Sequence, residues 1–171
     1  MKNWNTLISK LIEDGAKVAI VSGGLQQTAR DIAAQFPSKE PWQRRWGGID
    51  RYTSERFSSG QDSKLSVFTN GWLRGDILAN GQYSINDFGR YQVQMHGKGA
   101  IVKMLQRRYN ISKAKTSSVG DSAGDIGMFQ ESGYSICFNP WDDRPLKHCS
   151  EVVEEKDLAI VLEKIKTKMN E

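Results

Sequence analysis

The chain has 171 residues, 38% of them apolar and 26% charged, and a formal net charge of +4. This is the composition of a globular chain with room for a sizeable core, which excludes a disordered one. No apolar run approaches the roughly 20 residues of a membrane span, and the mild basicity suits an anionic ligand without being a nucleic-acid signature.

The chain opens with Trp4, Leu7, Ile8, Leu11 and Ile12 at helical spacing, a pattern that Asp14-Gly15 ends. Met1 to Thr6 lack the apolar core of a signal peptide. A buried-type strand is expected over Lys17 to Val21, running into Ser22-Gly23-Gly24. A second helix with Leu25, Ala29, Ile32, Ala33 and Phe36 on one face is expected to stop at Pro37. Periodicity is poor from about residue 38 to residue 97, where strand-like pieces fall at Tyr52–Phe57 and Leu65–Phe68. Asn70-Gly71 is a hairpin signal, with Trp72 and Leu73 starting the return strand. This stretch reads as an irregular β-rich excursion on the edge of a single domain spanning residues 1–171.

Helical order returns from about Gly99 to Tyr109, opened by Lys98. A strand stops at Gly120, a helix holds Ile126, Met128 and Phe129, and a strand covers Tyr134–Phe138. A short strand near Val152-Val153 precedes a closing helix with Leu158, Val161, Leu162 and Ile165. Such alternation implies an α/β fold with a mostly parallel sheet covered on both faces. Cys137 and Cys149 lack metal-type spacing and read as reduced thiols of a cytoplasmic protein.

Three features carry chemistry. Val119-Gly120-Asp121-Ser122-Ala123-Gly124-Asp125 delivers two carboxylates, four residues apart, onto a strand-to-helix loop, where open α/β sheets place their ligands. Mg²⁺ takes one or two carboxylates, waters and phosphate oxygens. The plainer reading is that Asp125 caps a helix and Asp121 decorates a turn. Ser22, Gly23 and Gly24 end another strand, with a hydroxyl to donate and glycines that let the backbone approach an anion, although an ordinary N-cap reads the same. Lys98 lies between Gly97 and Gly99 at a helix start, where the helix dipole disfavours a cation. It needs an anion beside it or full exposure to water.

In this order, the Ser-Gly-Gly strand end, the Lys at a helix start and the Gly-Asp-x-x-x-Asp loop resemble the haloacid dehalogenase superfamily of phosphohydrolases, within it the phosphoserine-phosphatase-like branch. The likeness runs from about Lys17 to Leu162 and includes Gly133-Tyr134-Ser135-Ile136-Cys137-Phe138-Asn139-Pro140 and Val152-Val153 with Asp157-Leu158. The resemblance implies a Rossmann-like, three-layer parallel sheet. It implies that Ser22 binds the transferring phosphoryl group, that Lys98 neutralises phosphate and nucleophile charge, and that Asp121 holds Mg²⁺ directly or through water. Asp125 would support the metal or orient Lys98. The implied activity is Mg²⁺-dependent hydrolysis of a small phosphorylated metabolite through an aspartyl-phosphate.

The chain departs from that pattern. The family's first strand carries Asp-x-Asp-Gly-Thr, whose first Asp is the nucleophile, and no such pattern occurs in the sequence. Asp14-Gly15 lies at a helix end and Asp142-Asp143 in a loop. Sixteen residues precede the Ser22 strand, so the first strand and the helical cap are expected to be missing. Gly124 stands where the phosphoserine-specific branch often has Asn. Whether the chain is an enzyme is therefore open. It is incomplete, or a partner chain or another segment completes its sheet, or it is a remodelled non-catalytic domain. As it stands it is expected to be inactive. The rival class is an anion- or nucleic-acid-binding module built on Trp42-Gln43-Arg44-Arg45-Trp46. Residues 39–56 hold five Lys/Arg against three Asp/Glu, so a surface loop with Arg lying over its indoles is the favoured reading. His96 and His148 have no ligand partners in sequence and read as structural or exposed.

Overall fold

The computed structural model describes residues 1–25, 32, 35–36, 65–70, 75–77, 83–85, 93 and 97–170. The chain divides into two compact units, Met1–Leu11 with Gln94–Glu171 and Ile12–Val93.

The first unit is built on a parallel three-stranded sheet in the order β5 (Ser117–Gly120), β6 (Tyr134–Phe138), β7 (Glu151–Val153). Ser117 pairs with Tyr134 and Gly120 with Cys137, and Ile136 to Phe138 pair with Glu151 to Val153. All five residues of β6 are buried. Successive strand residues point to opposite faces, so burial at every position means that both faces are covered, as the near-continuous apolar run Tyr134-Ser135-Ile136-Cys137-Phe138 demands. The two serine-polar groups in this strand region are matched: Ser150 Oγ accepts from the Ser135 N–H at 3.1 Å, and the Ser150 N–H donates to the Ser135 carbonyl at 2.9 Å.

Helix α2 (Lys98–Tyr109) packs on α3 (Ile126–Gln130), α3 packs on β5 and β6, and α4 (Leu158–Met169) packs on β6. Each helix buries the residues its apolar spacing selects: Val102 from α2, Met128 and Phe129 from α3, Leu158, Val161 and Ile165 from α4. The last turn of α2 is closed by Asn110, left-handed at φ 53°. The cap of α4 is Asp157, whose side chain accepts from the Ala159 N–H at 2.9 Å and from Asn3 Nδ2 at 2.7 Å. The N-terminus is thereby stitched to the start of α4, with Lys2 bridging to Asp157.

Helix α1 (Trp4–Glu13) buries Leu11 and ends at Gly15, where φ is +86° and the N–H donates to the Ile12 carbonyl at 3.0 Å. In the second unit, β1 (Val18–Leu25) pairs in parallel with β2 (Leu65–Asn70), Val18 opposite Leu65 and Ser22 opposite Thr69. The strand expected at Lys17–Val21 runs further than its pattern suggested. It continues to Leu25, opposite Asn70, with a register shift between Ser22 and Leu25 that falls on Gly23 and Gly24. Leu25 is thus a strand residue and not the first of a helix, because a two-glycine bulge lets the ladder resume beyond Ser22. Ile32 is helical and its carbonyl accepts from the Gln35 N–H at 3.1 Å; the rest of the expected second helix lies outside the described residues.

The expected strand at Leu65–Phe68 is β2, the parallel neighbour of β1, in which Phe68 is buried. The hairpin signal at Asn70-Gly71 falls at its end, and residues 71–74 lie outside the described residues. The antiparallel pair among the described residues is β3 (Gly75–Ile77) with β4 (Tyr83–Ile85). Tyr52–Phe57, the Trp42–Trp46 segment and His96 also lie outside the described residues. No helix among the described residues is long and apolar enough to cross a membrane.

Candidate active site

Strand β5 stops at Gly120 because the chain must turn sharply there. Gly120 also does something its place in the sequence does not announce. A Cβ at this position would overlap Asp125 Cβ and Cγ, so the missing side chain is what admits the Asp125 carboxyl group under the strand end. The chain then passes through Asp121-Ser122 into a tight 3₁₀ turn, Ala123–Asp125, which leads into α3.

Asp125 is 2% exposed and its carboxylate is fully engaged. Oδ2 accepts from the N–H groups of Asp121 and Ser122, both at 3.0 Å, and from Ser122 Oγ at 3.1 Å. Oδ1 accepts from Lys98 Nζ at 2.7 Å. The Lys98 side chain is 13% exposed, so this is a nearly buried, charge-assisted pair. It answers the question posed by a lysine at a helix start: the anion that offsets the dipole of α2 is Asp125, 27 residues along the chain. Burial alone would push the Asp125 carboxyl up; the Lys98 ammonium and the two loop N–H groups outweigh it and hold the group below the usual carboxylate range.

Asp121 has the opposite environment. It is exposed, its backbone faces Asp125, and partial burial followed by the neighbouring Asp125 charge raises its carboxyl above the usual value. The same carboxylates act on Cys137, a free thiol at the end of β6: burial first, then Cys149, Asp125 and Asp121, push it up to about 11. The loop after β6 closes on the site, with the Trp141 N–H donating to the Asp121 carbonyl at 2.8 Å.

The structure therefore brings Lys98, Asp121 and Asp125 together within the first unit. Ser22 and Gly23 lie on β1 in the second unit, Ser22 half-buried opposite Thr69. The bonds of Asp125 run to Lys98 and to the loop. Asp121 is the carboxylate left facing water. No cluster of three or more His, Cys, Asp and Glu among the described residues could hold a metal by itself. One exposed carboxylate suits a hard cation that keeps several waters and shares phosphate oxygens, and a cation would relieve the raised carboxyl of Asp121. An open cleft of about 630 Å³ lies elsewhere, lined by Gly133, Tyr134, Glu151 and Lys164 at the starting ends of β6 and β7.

Residues 80–165, half of the chain, match the model of the haloacid dehalogenase-like hydrolases. The chain belongs to that family. The matched segment contains the Lys98–Asp125 pair and the Asp121 loop of this haloacid dehalogenase-like chain. A phosphoserine phosphatase of Methanocaldococcus jannaschii is 27% identical over 93% of the chain and 60% of its own length. A phosphoglycolate phosphatase of Metallosphaera sedula is 25% identical over 81% of the chain and 58% of its own length. The chain thus spans about three fifths of the curated relatives it matches. A crystal structure of an apo phosphoserine phosphatase superposes on 96% of the chain and 66% of its own with a TM-score of 0.66 at 23% identity, which establishes the fold. The α/β fold with a parallel sheet expected from the alternating pattern, Rossmann-like as the resemblance implies, is the fold of this solved structure.

Two residues of this haloacid dehalogenase-like site were not singled out by their sequence context. Gly120 read as a strand stop, yet it is also the space for Asp125. Trp141 belongs to the loop of Asp142-Asp143, and its main chain is bonded to Asp121. The Val-Gly-Asp sequence is a signal for the first; nothing local signals the second.

Proposed function

We propose that this chain is the phosphate- and metal-binding part of a phosphomonoester hydrolase acting on a small phosphorylated metabolite. The observation that carries the reading is the Lys98–Asp125 pair, bonded to the loop that holds the exposed Asp121 carboxylate. Lys98, fixed by Asp125, presents positive charge where a phosphate meets the loop. Asp121 would hold Mg²⁺, which when bound offsets charge on the phosphate oxygens. Ser22 and Gly23 would contribute donors to the transferred phosphoryl group. Relatives named as phosphoserine and phosphoglycolate phosphatases support a small, anionic substrate. Free Cys137 and Cys149 go with a cytoplasmic location.

A covalent phosphoryl route needs a carboxylate nucleophile. Asp125 is fully bonded, Asp121 is needed at the metal, and the sequence contains no Asp-x-Asp-Gly-Thr. We infer that an upstream segment of the same protein, or a partner chain, supplies that strand, and that these 171 residues alone turn over no phosphomonoester.

The test is phosphate release from a panel of phosphorylated metabolites, with Mg²⁺, by a version extended upstream to include an in-frame Asp-x-Asp-Gly-Thr strand. Turnover that is lost in Asp121→Asn supports the reading. A folded, extended protein that releases no phosphate from any member of the panel overturns it.

A further inference from the structure

Trp141 is 85% exposed, the most exposed large apolar side chain among the described residues. An indole is a large apolar surface, and leaving it in water forgoes the burial that usually decides where tryptophan sits. Its loop does not wave free. The Asn139 N–H donates to the Val153 carbonyl at 2.6 Å, with Asn139 itself left-handed at φ 47°. The Trp141 N–H donates to the Asp121 carbonyl at 2.8 Å. Asp142 accepts from the Arg144 N–H at 2.8 Å and holds the Arg144 guanidinium through two further bonds of 2.9 and 2.8 Å. Pro145, fully buried, anchors the far end.

The loop after β6 is therefore a braced platform, bonded to the loop after β5, that keeps one indole in solvent. Both loops leave the C-terminal ends of parallel strands, where ligands of open α/β sheets bind. Asp142 and Arg144 neutralise each other, so the platform offers an apolar plate with the exposed Asp143 as its one uncompensated charge. A rigid aromatic plate with two side-chain torsions loses little entropy when a flat group stacks on it.

We propose that Trp141 forms the leaving-group subsite of the Asp121 site and stacks on a flat, unsaturated ring, so that the ligand is a phosphomonoester of an aromatic or heteroaromatic alcohol. This rests on the phosphatase reading of Asp121 and Lys98 and narrows it: phosphate at the carboxylate loop, ring on the indole.

The test is titration of the folded 171-residue chain, in Mg²⁺, with phenyl phosphate, orthophosphate and O-phosphoserine, by calorimetry and by the indole N–H resonances. The Trp141 resonance is the one absent in Trp141→Phe. Phenyl phosphate is expected to bind about tenfold tighter than orthophosphate, the scale of one base–aromatic stack. The ratio should fall to about one in Trp141→Ala and largely survive in Trp141→Phe. The Trp141 resonance should move with phenyl phosphate and stay still with orthophosphate. If orthophosphate binds and is lost in Asp121→Asn, but phenyl phosphate gains nothing from Trp141, the ring subsite is overturned and the phosphatase reading stands. If O-phosphoserine is the ligand that gains through Trp141, the ring assignment is overturned. If no phosphate species binds, and Asp121→Asn changes nothing, the phosphatase reading fails and the subsite with it.

Discussion

Asp121 and Asp125 are four residues apart and chemically opposite. Asp125 is charged and satisfied, with four donors on two oxygens. Removing its cation leaves a buried carboxylate uncompensated, which typically costs about 3–5 kcal/mol. Lys98→Met is therefore expected to lower the unfolding free energy by up to about that amount, read as a lower urea midpoint with the slope unchanged. The pH dependence has a definite sign. The folded Asp125 carboxyl sits below its ordinary value of 3.8, so its stabilisation is complete above that value and is lost as pH falls through the lowered one. Lys98→Met should flatten this acid limb, as read from melting temperatures between neutral pH and the low carboxylate range. The Asp121 carboxyl is raised, so its charge costs stability at neutral pH and the cost disappears as pH falls through the raised value. Asp121→Asn is expected to leave stability unchanged or improved while abolishing any rise in melting temperature on adding Mg²⁺. A loss of stability in that variant would contradict the environment described for Asp121.

At the scale of elements, the site depends on two helices approaching at glycines. A Cβ on Gly99 would stand 2.6 Å from the Gly127 carbonyl oxygen, a main-chain atom that has no rotamer to yield. Gly99→Ala must push α2 away from α3, a strain of about 1–3 kcal/mol. The same shift draws Lys98, one residue earlier, away from Asp125. The expected outcome is a lower denaturation midpoint together with weaker phosphate binding, whereas Lys103→Ala, with its side chain 53% exposed, changes neither appreciably. On β5, Ser118 Oγ is buried without a hydrogen-bond partner among the described residues. Such a hydroxyl carries a desolvation cost and no compensating bond. Ser118→Ala should be neutral or stabilising by up to about 1 kcal/mol, measured by chemical denaturation. Marked destabilisation would show that the hydroxyl has a partner after all.

At the scale of the whole molecule, the proposed function assigns Asp121 to the metal and so leaves the described site without an attacking group. Steady-state assay of this chain with a generic aryl phosphate and Mg²⁺ is expected to give no turnover above that of Asp121→Asn. Loss of an essential nucleophile removes several orders of magnitude in rate and leaves only what binding and electrostatics supply. Robust turnover that vanishes in the variant would reveal a nucleophile from outside the described residues or from a second copy.

The positions of β5, β6 and β7 and of the helices α2, α3 and α4 were legible in the chain itself. Burial periodicity and glycine punctuation are local, and they agree with one another from Lys98 to Met169. The places of Lys98, Asp121 and Asp125 were legible for the same reason: strand ends and helix starts are where chain direction changes and polar groups collect. Other features depended on distance across the fold. The reach of β1 through Leu25 depends on a neighbour 45 residues away, as its pairing with Asn70 is a sheet property and not a propensity. Gly99 and Gly120 are ordinary glycines until the Gly127 backbone and the Asp125 carboxyl group are set against them. Sequence by itself put a lysine, an aspartate and another aspartate on loops and helix starts; only tertiary structure decided that Lys98 spends its charge on Asp125, because a 2.7 Å contact in a nearly water-free setting is worth far more than the same charges apart in solvent.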